Sequence, residues 1–150
     1  VLEKTESYCN EIISQKGPLL HKRRAYNVLI SSIDAQGRHY DARDKCLEVL
    51  AQLNGTCFPN IGKTFSVLIG IIRAKLSLKR TTEQLSKLKR MTDESKIWVM
   101  VLLDKLVGYA YQDSGSLLVP LATFKGLQLT LKHGISEYTP PILALVGLLL

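Results

Sequence analysis

Residues 22–53, KRRAYNVLISSIDAQGRHYDARDKCLEVLAQL, decide the fold class of this chain. Two apolar-periodic runs flank Gln36-Gly37-Arg38. In the first, Ala25, Val28, Leu29 and Ile33 recur at spacings of three and four, with Leu20 ahead of them. In the second, Ala42, Cys46, Val49, Leu50 and Leu53 do the same. That period belongs to an amphipathic helix. A tight glycine-containing turn between two such runs sets them antiparallel as an αα-hairpin. A single hairpin cannot bury its own apolar faces, so the remainder of the chain has to supply neighbours.

The flanking sequence reads as those neighbours. A helix is expected over about 2–16, with Leu2, Cys9, Ile12 and Ile13 on one side, ended by Gly17-Pro18. The hairpin helices are expected over about 18–36 and 41–53, the latter with Asp41 as N-cap. Asn54-Gly55 then ends the hairpin. Ile61, Phe65, Leu68, Ile69, Ile72 and Leu76 form a stripe of period 3.6, which predicts a helix over 61–79. Thr81-Thr82-Glu83-Gln84 has capping-box spacing and opens a short helix over 82–90 through Leu85 and Leu88. A helix over 93–111, with Thr92 as hydroxyl N-cap, is apolar almost all round, broken only by Asp104-Lys105 and Gly108. Such a helix lies at the centre of its domain. Helices over 117–133 and 140–150 complete the series, the first closing on Lys132-His133-Gly134 and the second opening with Thr139-Pro140 as N-cap and N1.

No alternating strand is evident. The expected fold is all-α, with about seven helices in antiparallel hairpins stacked as an α-solenoid or helical-hairpin array. The 150 residues suffice for one domain, 1–150. The last helix breaks off within an apolar run, so the chain reads as a fragment of a longer protein. That run, 140–150, is well short of the ~20 residues needed to cross a bilayer. Three cysteines without motif spacing and no secretory leader point to free buried thiols in a reducing, cytoplasmic compartment.

The net charge of +7 is concentrated. Residues 63–90 hold eight Lys/Arg against Glu83 alone, while the flanking segments are nearly balanced. Such a segment suits an anionic partner, but it lacks the interleaved aromatics of single-strand binders, because Phe65 belongs to the core stripe. Part of the cluster (Arg73, Lys75, Lys79) falls in the last turns of a helix, where cations offset the helix dipole.

Catalytic patterns are wanting. Gly62-Lys63-Thr64 resembles the end of a phosphate loop, but Cys57 stands where the first glycine is required. His21, His39 and His133 share no metal spacing with one another or with a cysteine. Asp104-Lys105 reads as a narrow polar stripe on a buried helix. No catalytic, cofactor or metal residue is assigned, and the reading is a non-enzymatic one. The candidate interaction surface is Arg23, Arg24, Lys87, Lys89 and Arg90.

The hairpin resembles a tetratricopeptide unit. Tyr26-Asn27-Val28 stands where that repeat reads Y-N-L. Gln36-Gly37 and Tyr40-Asp41-Ala42 stand for its turn, with altered spacing, and Cys46 and Val49-Leu50 fill its later packing positions. From there on, Leu47-Glu48-Val49-Leu50, Gly55, Phe58-Pro59, Leu85-Ser86-Lys87-Leu88, Met91-Thr92-Asp93 and Lys96 follow in order, then Leu129 to Gly134, Ala144 and Gly147. That succession is similar to the helical-repeat region of large multidomain sensor histidine/serine-threonine kinases that carry an AAA-type ATPase. The resemblance implies that ATP belongs to the parent protein and not to this piece. It also implies a regulatory scaffold between the ATPase and the signalling output, whose partners are neighbouring domains or a protein ligand. Nucleic acid bound through 63–90 is the alternative partner.

Overall fold

In a computed structural model the described residues are 1–54, 70, 73, 84–112 and 117–149. They are all-helical apart from one two-residue bridge, with six α-helices: α1 (Leu2–Ser14), α2 (Arg23–Ala35), α3 (His39–Asn54), α4 (Glu94–Tyr111), α5 (Leu118–His133) and α6 (Thr139–Leu149). The chain divides into two compact units, Val1–Thr56 and Cys57–Leu150.

In the first unit α2 lies between α1 and α3 and packs on both. It is shorter than the periodicity predicts, because Leu19–Lys22 form a separate 3-10 turn. The Lys22 ammonium there donates to the Ile13 carbonyl at 2.7 Å, closing the end of α1. The buried face of α2 is Ala25, Tyr26, Leu29, Ile30 and Ile33, not the expected set, since Val28 is 48% exposed. The face is rotated because α2 is covered from two sides. In α3, Ala42, Cys46, Val49 and Leu50 are buried as the spacing predicts. On α1 only Cys9 is buried; Leu2 and Ile12 face solvent, against expectation. Burial raises the Cys9 thiol pKa, helped by the nearby Glu6 carboxylate, which keeps the thiol protonated and unreactive.

The turn 36–38 closes α2 as a Schellman motif. The Gly37 N–H donates to the Asp34 carbonyl (2.8 Å) and the Arg38 N–H to that of Ile33 (3.3 Å), with Gly37 at φ 75°. Arg38, not Asp41, precedes the first turn of α3, and its carbonyl accepts from the Ala42 N–H. Asp41 lies inside that turn and takes the Arg38 guanidinium at 2.7 Å. Arg38 and Gln36 also reach Glu6, tying the hairpin turn to α1.

In the second unit α5 packs on both α4 and α6. Trp98, Val99, Met100, Leu102, Leu103, Leu106, Val107 and Ala110 bury most of α4, leaving an outward stripe of Val101, Asp104, Lys105 and Gly108. Its N-cap is Asp93 and not Thr92: the carboxylate accepts from the Ser95 N–H at 2.9 Å and the Lys96 N–H at 3.2 Å. Gly126 lets α6 approach α5, since a Cβ there would collide with the Ile142 side chain. Thr139 forms the first residue of α6, and its hydroxyl turns back to accept from the Ser136 N–H (3.0 Å) beside Thr130. It does not cap the helix forward.

Of the span 61–79 only Gly70 and Arg73 are described, both helical; Gly62-Lys63-Thr64, residues 113–116 and the remaining cations of that span lie outside the described residues. The expected helix over 82–90 does not run its length. Gln84 and Leu85 are helical, a turn follows, and 88–90 are extended. There the backbone forms a parallel bridge with Ile135: the Met91 N–H donates to the Ile135 carbonyl (2.8 Å) and the Ile135 N–H to that of Lys89 (2.9 Å). Two interstrand bonds and the burial of Met91 outweigh the helix signal of Leu85 and Leu88.

Candidate functional site

Gly134 makes the bridge possible. It terminates α5 at φ 107° and ψ −175°, a region essentially confined to glycine. A Cβ at this position would overlap the Lys89 carbonyl oxygen and stand 3.2 Å from the Met91 nitrogen. The segment 89–91 therefore lies directly over the glycine. The contact brings two chain segments that are distant in sequence into one place, with Lys87, Lys89 and Arg90 on one and Lys132 and His133 on the other.

Lys87, Lys89, Arg90 and Lys132 are exposed, and none forms an ion pair or side-chain hydrogen bond among the described residues. The acids of the same region are engaged elsewhere. Asp93 caps α4, Glu94 has a partner, and Glu137 is hydrogen-bonded to Tyr138. Four cations without counter-ions make a local positive field of the kind that attracts an anionic partner. In the sequence Lys132 reads only as part of the Lys132-His133-Gly134 helix end; the bridge that brings this end to segment 89–91 has no pairing signal there.

Arg23 and Arg24 stand at the start of α2 in the first unit. Arg24 is exposed; Arg23 is half-buried and already has a partner within the structure. Lys87, Lys89 and Arg90 belong to the second unit. The structure thus gathers three of the five sequence-assigned cations at the bridge.

Other features lack reactive groups. An open groove of about 440 Å³ runs between α1 and α2, lined by residues such as Leu2, Val28 and Ala35 and by no ionisable side chain. The Ser32 hydroxyl beneath it is buried without a hydrogen-bond partner. Among the described residues no three of His, Cys, Asp and Glu are grouped to hold a metal, and no helix is long and apolar enough to cross a membrane. His39 is held by Asp34 at 2.7 Å across the hairpin turn, which is a structural use of the ring.

Burial disturbs the protonation of the Asp104 carboxyl. Desolvation raises its pKa, and the neighbouring Lys105 offsets only part of that rise. Its charge in turn adds to the upward shift of Tyr138, for which burial is the main cause. A raised carboxyl pKa means the folded state holds this proton more tightly than the unfolded chain does. Stability then falls as pH climbs from the ordinary carboxyl value through the raised one. Asp104→Asn is accordingly expected to raise the melting temperature at pH 7 and to flatten that falling limb, as read by circular dichroism between pH 3 and 8. An unchanged limb would place its cause on another group.

No known protein family, curated protein or solved structure matches the chain.

Proposed function

We propose that the chain is a non-catalytic interaction and regulatory scaffold. In this reading its tetratricopeptide-like hairpins stack as an α-solenoid between the ATPase module and the output domains of a sensor kinase, in the cytoplasm. ATP is the parent protein's ligand, and neighbouring domains or a protein ligand are the partners. The observation that supports the scaffold most directly is the placement of charge against burial. Cys46, Val49 and Leu50, which fill the later packing positions of the repeat, are buried, while Lys87, Lys89, Arg90 and Lys132, without an ion pair among the described residues, are exposed. A ligand on such a surface acts by favouring one packing arrangement of successive hairpins over another.

Selection of this chain against a displayed peptide library tests the reading. Enrichment of a common motif, with binding lost on Arg24→Glu or Lys89→Glu, is the expected outcome. ATP turnover by the chain alone would overturn it.

The four unpaired cations also support a nucleic-acid reading. Phosphate neutralisation would make affinity fall with log[salt] at a slope of ~0.9 per contact. Absence of measurable DNA or RNA affinity at about 50 mM salt would remove that alternative. No Phe, Tyr or Trp lies within 84–92 or 132–137 to stack on bases, which favours the protein partner.

A further inference from the structure

The bridge at Arg90 leaves one edge of its short strand open. Ile135 uses both its N–H and its carbonyl on this segment, and they meet Lys89 and Met91. Arg90 supplies neither bond, so its own N–H and carbonyl lie on the opposite edge. Among the described residues they have no hydrogen-bond partner, and Arg90 is exposed. An extended backbone with one unpaired N–H and one unpaired carbonyl is a template for another strand. On the segment that carries this edge stand Lys87, Lys89 and the Arg90 side chain, all exposed.

We infer that residues 88–92 form a docking edge for an extended acidic peptide segment, which adds to the bridge as a further strand. The inference rests on the scaffold reading and names the chemistry of its ligand. Main-chain bonds from the peptide satisfy the Arg90 N–H and carbonyl, and its carboxylates meet Lys87, Lys89 and the Arg90 guanidinium. Asp93 and Glu94 close the patch at the α4 end and repel acidic side chains there, so the acidic residues of the peptide lie against 87–90. A nucleic acid could meet the cations, but it has no use for the backbone donor and acceptor of Arg90. The open edge therefore favours a polypeptide. Met91, 3% exposed, and Gly134 beneath the strand hold the edge in place without touching the ligand.

The test uses the whole chain and a blocked ten-residue peptide of alternating Glu and Val, with binding followed by fluorescence anisotropy. A second peptide of the same sequence, N-methylated at alternate residues, keeps every charge and loses the backbone donors. Loss of the bond donated to the Arg90 carbonyl, with methyl groups obstructing the paired edge, is expected to weaken binding by about tenfold or more. Charge reversal by Lys89→Glu with Arg90→Glu is expected to weaken it by at least as much, while Arg24→Glu in the first unit leaves it within about twofold. Emission from Trp98, the only tryptophan, reports that each variant keeps the second unit folded. Equal binding of the methylated and parent peptides would overturn the strand addition, because charge alone would then account for the contact. Tighter binding of a 20-mer oligothymidylate than of the peptide, with a steep salt slope, would overturn the choice of partner. If neither probe binds, this inference fails. The scaffold reading is then judged separately, by whether a library-selected ligand still depends on Arg24.

Discussion

Gly134→Ala is expected to destabilise the second unit by about 3 kcal/mol or more, lowering its melting temperature by more than about 10 °C. Two effects act together at this position. The backbone stands at φ 107° and ψ −175°, where an L side chain is strained. The added Cβ would also overlap the Lys89 carbonyl oxygen, and that obstacle is backbone, not the mobile end of a side chain. Relief requires parting segment 89–91 from the end of α5, which breaks both bonds to Ile135 and uncovers Met91. Gly37→Ala provides the comparison. Gly37 also has a positive φ, 75°, but nothing lies within 4 Å of a Cβ there. That substitution is expected to cost only about 1 kcal/mol. Denaturant titrations followed by Trp98 emission for Gly134→Ala and by circular dichroism for both decide the matter. Equal losses at the two glycines would show that close approach at Gly134 contributes nothing.

The second large effect is expected at Trp98. Trp98→Ala should cost about 3–5 kcal/mol through lost burial and the cavity left behind. Trp98 is completely buried on α4, one turn before the equally buried Leu102 and Leu103. Because α4 is covered along most of its circumference, the surrounding side chains have little freedom to collapse into the space. At the other end of the same helix Tyr111 is 76% exposed, and Tyr111→Ala should stay within about 0.5 kcal/mol. Circular dichroism is the readout, since the substitution removes the fluorophore. A Trp98 loss no larger than that of Tyr111 would mean that the burial of α4 contributes little to the stability of its unit.

Several elements were legible from residues alone, and for local reasons. The Gln36-Gly37-Arg38 turn was readable because only glycine suits the left-handed residue of a Schellman end. The buried positions of α3 followed from spacing, since that helix buries one face. The all-round apolar α4, with its polar stripe at Asp104-Lys105, announced its extensive burial. The misreadings have a shared origin. Val28 was assigned inward because a single-face stripe was assumed, whereas α2 is covered by both α1 and α3. Asp41 and Thr92 were chosen as caps from residue type, but Arg38 and Asp93 hold those places, one position being set by the turn and the other by the extended entry from Met91. The helix expected over 82–90 gave way to strand at its end because Ile135 offered the backbone better hydrogen bonds than another helical turn did.

The candidate site divides in the same way. Lys87, Lys89 and Arg90 were identifiable from the charge imbalance of 63–90, but the sequence could not separate a binding patch from helix-end compensation. Gly134 was legible as the end of a helix, but the open edge at Arg90 and the lack of room for a Cβ at 134 arise only from the meeting of two segments far apart in the chain. Periodicity and turn chemistry are properties of neighbours in sequence, so the sequence by itself determined that the chain folds as helices and where most of them begin and end. Which face each helix buries, which acids cap it and which cations share a surface depend on what packs across from it. The tertiary structure alone decided those, because long-range contacts with Gly134 and Ile135 leave no mark on the local pattern.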